Sequence, residues 1–259
     1  MCGIHATISV NDAAELSENL RQSLTDRGPD HLGVAERQLS HIALKFTSTV
    51  LALRGDHVAQ QPFEDTKSGS VFCWNGEAWK LGSQRVQGND GEAIFNSLVR
   101  TQNTEPAARK NHILSVLRSI QGPFAFLYFD APGQCLYFGR DRLGRRSLLL
   151  NQAPDGKSVA LSSIAGVSNR DWSEVEADGI YTMTILPTPT AVGGPVLGVQ
   201  ISRDDWMPSE GADLVSTRRL PPIFSATCLE AHYGRSRALV CSIWPSQRAM
   251  KSSILTPLP

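Results

Sequence analysis

The stretch PFAFLYFDAPGQCLYFGR, residues 123–140, decides the fold class. Its two apolar segments, 123–130 and 135–140, have strand length and are rich in aromatic side chains. Between them Ala131-Pro132-Gly133-Gln134 reads as a hairpin loop, because proline and glycine supply the backbone angles a tight reversal needs. Further strand candidates lie at 3–10, 41–53, 70–75, 147–150, 159–163 and 180–185. Three helical stretches stand apart from them. One is capped by Asp12, has Glu15 three residues on, carries Leu16, Leu20 and Leu24 on one face, and is stopped by Gly28-Pro29. The others run from Glu92 to Thr101 and from Ala107 to Ile120, each with an apolar stripe. Hairpins with separated helices predict an α+β layered domain rather than an alternating βαβ array.

With 259 residues, 41% hydrophobic and 19% charged, the chain can bury one good-sized core. Nine of the 15 prolines follow Leu186, and beyond that point neither the helix nor the strand period persists. The expected organisation is a domain over 1–186 and a proline-rich tail over 187–259, disordered or a truncated remnant. Lysine plus arginine equals aspartate plus glutamate at 25 each, so no net field recruits nucleic acid or an anionic membrane. No apolar run approaches the roughly 20 residues of a membrane span, and MCGIHATISVNDAAEL lacks the basic start of a signal peptide, so a cytoplasmic location is expected.

The five cysteines form no Cys-x-x-Cys pair and no zinc spacing, and they read as free thiols. Four suit the role of small buried hydrophobes. Cys2 differs in position. Removal of Met1 leaves a thiol and a free α-amine on one residue, and near neutral pH that amine can accept the thiol proton. An activated nucleophile results without a histidine.

Met1-Cys2-Gly3-Ile4 is followed in order by Arg27-Gly28-Pro29-Asp30, Leu53-Arg54-Gly55, Gln61-Pro62, Trp74-Asn75-Gly76-Glu77 and Asn89-Asp90-Gly91-Glu92. Further on stand GPFAF, 122–126, and FGRDRLGRRSLL, 138–149. This series resembles the class II glutamine amidotransferases, and its last segment resembles the asparagine synthetase domain-containing branch. The resemblance covers about residues 2–185 and implies an N-terminal-nucleophile hydrolase fold, a four-layer αββα sandwich. It also implies L-glutamine as substrate, Cys2 as nucleophile, and Asn75 and Gly76 as donors to the oxyanion. Arg54 would grip the substrate α-carboxylate, and Asp90 with Glu77 the α-ammonium. No metal or other cofactor is implied. Taken alone, Asn75-Gly76 is a hairpin signal and Asp90 a helix cap. Arg27-Gly28-Pro29-Asp30 and Arg140-Asp141 read as turns with surface ion pairs.

The synthetase half of the longer relatives is marked by a Ser-Gly-Gly-x-Asp-Ser phosphate loop, which residues 187–259 do not contain. The expectation is therefore ammonia release from glutamine without asparagine synthesis by this chain alone, with a separate ammonia-accepting synthetase as partner. The competing expectation is a catalytically idle, glutaminase-like module that binds partners.

Overall fold

The computed structural model describes residues 1–12, 15–100, 105–166, 172–186, 190–191, 194–195, 197–207 and 218–219. The chain begins with β1 (Gly3–Val10), α1 (Glu18–Arg27), β2 (His31–Leu39), β3 (Ile42–Val50), β4 (Phe63–Glu64) and β5 (Val71–Gly76). Two short strands, β6 (Lys80–Leu81) and β7 (Gln84–Arg85), precede α2 (Asp90–Val99) and α3 (Pro106–Ser119). The succession continues with β8 (Ile120–Gln121), β9 (Phe124–Asp130), β10 (Cys135–Arg140), β11 (Leu149–Gln152) and β12 (Ser158–Ser162). It closes with β13 (Trp172–Glu174), β14 (Gly179–Leu186), β15 (Thr190–Ala191), β16 (Gly194–Pro195), β17 (Gly198–Asp205) and β18 (Arg218–Arg219).

Two sheets carry the domain, in the orders β13-β11-β12-β1-β3-β2 and β18-β17-β14-β10-β9-β5-β4. All their strand pairings are antiparallel, as hairpin chemistry requires. Strand β9 shows how the layers form. Ala125, Leu127 and Phe129 enter the core between the sheets, whereas Phe124, Phe126 and Tyr128 enter a second core with Ile94, Leu98, Ile113 and Leu117 of α2 and α3. Successive side chains point to opposite faces, and both faces are covered, so the strand reads as an unbroken apolar run. On the outer face of the other sheet α1 packs against β1 and β3, with Leu20 and Leu24 buried. The four layers are therefore helix, sheet, sheet and helices, the αββα sandwich anticipated from the sequence.

Three expectations change. Helix α1 is capped by Ser17, whose hydroxyl accepts from Leu20 N, rather than by Asp12. Asn11 takes a left-handed conformation and the chain turns there, the Ser9 hydroxyl donating to Asp12 O at 2.5 Å. Strand β2 was not anticipated, because only Ala35 along it is buried and an edge strand with a polar face gives little apolar signal. The sheet also continues past the boundary expected at Leu186. Strand β17 pairs with β14 along its full length, and Val199 and Ile201 join the inter-sheet core. Helix α3 ties this strand down through Arg118, which donates to Asp205 O, and Lys110, which pairs with Asp204. Most of the expected tail, like Cys228, Cys241 and the expected helix end at Thr101, lies outside the described residues.

Candidate active site

Cys2 stands just before β1, and the start of that strand is pinned on both sides. Gly3 N donates to the Thr49 hydroxyl at 3.1 Å, which donates onward to Leu24 O at 2.6 Å. Ile4 N donates to the Ser163 hydroxyl at 3.0 Å. Gly3 admits no side chain, since a Cβ would stand 2.5 Å from Thr49 Oγ1. The Cys2 thiol faces Leu51 O at 3.9 Å, in the segment that leaves β3. That segment is held by Asp30, whose carboxylate accepts from Ala52 N at 2.8 Å. Burial pushes the Cys2 thiol up; the Leu51 contact and the N-terminal ammonium oppose the rise and Asp90 adds to it.

Cys2, Arg54, Asn75, Gly76, Glu77 and Asp90 line one pocket, so all six residues singled out in the sequence come together. They arrive from the N-terminus, the segment after β3, the end of β5 and the start of α2. Asp90 is buried, and its Oδ2 accepts from Trp74 Nε1 at 3.0 Å and Ala78 N at 2.7 Å, leaving Oδ1 without a protein donor among the described residues. The Arg54 guanidinium donates through Nη1 to Ala78 O at 2.7 Å and through Nη2 to Val86 O at 3.1 Å. Gln61, whose role could not be read from its motif, holds Trp74 N through its side-chain oxygen at 2.8 Å and so sets the strand that delivers Asn75.

Asn75 is 1% exposed, yet neither its Nδ2 nor its Oδ1 has a hydrogen-bond partner among the described residues. A buried amide left unpaired costs on the order of 1–3 kcal/mol, which marks it as a group waiting for a ligand or water. Gly76 beside it has no room for a side chain, because a Cβ would come 2.6 Å from Phe124 Cβ and 2.8 Å from Pro123 O.

Two arginines that spacing could not place stand near the N-terminus, one lining the pocket and one contacting Met1 through its backbone. Arg146 lines it, and its Nη1 contacts Met1 Sδ at 2.9 Å. Arg27 O accepts from the Met1 ammonium at 3.3 Å, and burial, then the neighbouring Arg146 charge, push the Arg27 guanidinium down. Arg27 Nε and Nη2 and Arg146 Nε are buried without partners among the described residues. The Arg140-Asp141 pair, expected as surface ion pairing, is buried instead. Asp141 accepts from Phe124 N, Leu143 N, Arg145 N and Arg145 Nε, and Arg140 donates to Arg146 O, Gly144 O, Val175 O and Glu174. Together they shape the loop that carries Arg146. Among the described residues no three His, Cys, Asp or Glu side chains gather as a metal site would require, and no helix is long and apolar enough to cross a membrane.

A family profile described as a glutamine amidotransferase domain matches residues 1–190. Asparagine synthetase domain-containing protein 1 of Mus musculus is 35% identical over 257 residues, covering 93% of this chain and 39% of that protein. The Homo sapiens protein of the same name is 37% identical over 197 residues, covering 73% of this chain and 29% of its own length. The chain thus spans well under half the length of these relatives. Among solved structures, the glutamine phosphoribosylpyrophosphate amidotransferase of B. subtilis superposes with a TM-score of 0.51 at 18% identity, over 78% of this chain and 49% of that one. A structure titled as the allosteric regulatory enzyme of purine biosynthesis superposes with a TM-score of 0.54 at 15% identity, over 76% of this chain and 48% of the other. At such identities the likeness bears on the fold.

Proposed function

Because the chain belongs to the glutamine amidotransferase domain family, in its asparagine synthetase-like branch, we propose that it hydrolyses glutamine to glutamate and ammonia through a thioester on Cys2. The observation that carries this reading is the unpartnered Asn75 amide in the pocket that Cys2 lines. A nucleophile beside a buried donor with no partner among the described residues is the arrangement an amide carbonyl would complete.

The steps follow from the groups present. Removal of Met1 exposes the Cys2 α-amine, which takes the thiol proton as Sγ attacks the side-chain carbonyl carbon of glutamine. The carbonyl oxygen becomes negative and receives hydrogen bonds from Asn75 Nδ2 and Gly76 N–H. When the carbon–nitrogen bond breaks, the ammonium formed on Cys2 returns its proton to the leaving nitrogen, and ammonia departs. Water, deprotonated by the same amine, then attacks the thioester carbon; the carbon–sulfur bond breaks, the amine returns that proton to Sγ, and glutamate leaves. Arg54 and Asp90 fix the substrate's α-carboxylate and α-ammonium, with Glu77 beside the latter; Asp90 Oδ1 is the free acceptor for that cation. A fixed position for the amide is worth far more than affinity alone, since it converts an encounter into an intramolecular attack.

The test is ammonia and glutamate release from glutamine by the protein with Met1 removed, alongside mass analysis of the N-terminus after treatment with a glutamine-mimicking electrophile. Turnover with one adduct on Cys2 is the expected result. No turnover and no adduct would sink the reading. An intact activity with Met1 retained would show that a base other than the α-amine serves. Ammonia is expected to pass to a separate acceptor enzyme, so added aspartate, ATP and magnesium should yield no asparagine.

A further inference from the structure

We infer that His57 is a positioning residue for glutamine recognition, clasping the segment that carries Arg54 to the helix that carries Asp90. The inference rests on the roles proposed above for those two residues. Arg54 and His57 belong to the stretch 51–62 between β3 and β4, which contains neither helix nor strand. Asp90 and Glu92 belong to the first turn of α2. His57 Nε2 stands 2.8 Å from Glu92 Oε1 and so ties the irregular stretch to the helix. Gly55, at φ +93°, makes the turn that lays this stretch against Asn89, the N-cap of the same helix.

The helix terminus is arranged for the contact. Asn89 Oδ1 accepts from Glu92 N at 3.1 Å, as an N-cap does. In a capping box the acid at the Glu92 position would fold back onto the N-cap amide, but here its carboxylate turns to His57 instead. His57 is not among the residues that line the pocket, so it reaches the substrate only through Arg54 and Asp90.

The ring makes the clasp conditional on a proton. Asp56 Oδ1 stands 2.8 Å from His57 Nδ1, and Glu92 Oε1 faces the other nitrogen. Ionised carboxylates only accept, so both ring nitrogens must donate, and only the imidazolium carries two N–H groups. The hydrogen bond to Asp56, then the one to Glu92, hold the imidazole above its ordinary value, and these two carboxylates are the charges that act on it. The neighbouring charges on the same two elements are engaged elsewhere, Arg54 at Ala78 O and Val86 O, and Asp90 at Trp74 Nε1 and Ala78 N. The clasp is therefore complete below the ordinary histidine value, and one of its two hydrogen bonds is lost as pH rises through the raised one.

The experiment measures glutamine binding by calorimetry on the full chain carrying Cys2→Ala, which binds without turnover. Between about pH 6 and about pH 8 the affinity should fall about 3-fold, the scale of a solvent-exposed ion pair. Adding His57→Ala or Glu92→Ala should weaken binding about 3-fold at the lower pH and abolish the pH dependence. The two together should weaken it no more than either alone. Asp56→Asn supplies a donor to Nδ1, so it should keep the low-pH affinity at both pH values. With Cys2 intact and Met1 removed, His57→Ala should raise KM by the same factor and leave kcat within about 2-fold, a split that general destabilisation would not give. Parental affinity of both variants at about pH 6, or losses that add, would overturn the inference. The His57 imidazole resonance, assigned by its absence in His57→Ala, should titrate lower in Glu92→Ala; an unmoved titration would overturn the clasp whether or not glutamine binds. A parent that binds glutamine while the Cys2 protein releases no ammonia would count against the glutaminase reading alone.

Discussion

At one end of the pocket Arg54 is already held by Ala78 O and Val86 O, and Asp90 by Trp74 Nε1 and Ala78 N. At the other end the Asn75 amide, and beside it three guanidinium nitrogens of Arg27 and Arg146, are buried without partners among the described residues. The first arrangement suits groups that must present a fixed charge to a ligand that does not change during reaction. The second suits donors reserved for charge that exists only while bonds are being exchanged. Folding stability is drawn from the first end and given up at the second, since unpaired buried donors cost energy that paired ones do not.

Substitutions can break this contrast. The largest effect should come from Cys2→Ala, which removes the nucleophile from a half-buried position: glutamate release should fall to background while the melting temperature stays within about 3 °C. Turnover that survives would place the nucleophile elsewhere. Asn75→Ala should lower kcat by about 10²–10³, equivalent to about 2.7–4 kcal/mol of barrier, with KM within a few-fold. Its stability to urea should not fall, because no hydrogen bond among the described residues is lost. Asp90→Ala should behave in the opposite sense, raising KM and costing about 1–3 kcal/mol of stability as the Trp74 indole and Ala78 amide lose their acceptor. Were Asp90→Ala as stable as wild type and altered in kcat only, the division into a tied end and a reserved end would be wrong.

The smallest effect separates the two thiols. Cys73 lies in the inter-sheet core and burial pushes its thiol up to about 12. In the unfolded chain it titrates near 9.0, so the native state binds the extra proton between the two values and stability falls with pH there. That contribution is intact below about pH 9 and is lost progressively toward pH 12. Denaturation at rising pH should show a shallower alkaline loss in Cys73→Ala than in wild type, on top of its own cavity cost. Alkylation of the native protein near pH 8.5 should mark Cys2 and spare Cys73.

Much of this was legible in the sequence where a single physical signal dominated. The β9–β10 hairpin declared itself through aromatic strands around Pro132-Gly133, and its strand ends fall within one residue of the expected ones. The six pocket residues were legible only as an ordered series, since each taken singly reads as a turn, a cap or a surface charge. Helix α1 was begun too early because Asp12 with Glu15 imitates a capping box, while Glu15 is engaged by Lys45 at 2.6 Å. Strand β17 escaped notice for another reason. Its GVQISRDD run alternates for a few residues only, and the surrounding prolines suggested that the fold had already ended. Arg27 and Arg146 are separated by more than a hundred residues, and nothing in either segment states that they meet. Proximity of that kind belongs to the tertiary structure.

The partnership of β14 with β17 bears on how a shortened version of the protein would behave in solution. A chain cut at residue 190, where the family match stops, loses the neighbour that covers all eight residues of β14. The bared flank would present a row of unsatisfied amides and carbonyls, with Met183 and Ile185 no longer shielded by Val199 and Ile201. Flanks of this length and apolarity recruit strands from other molecules. Self-association and poor solubility of such a fragment would then reflect where the cut was made, and an inactive fragment would say nothing about the chemistry of Cys2.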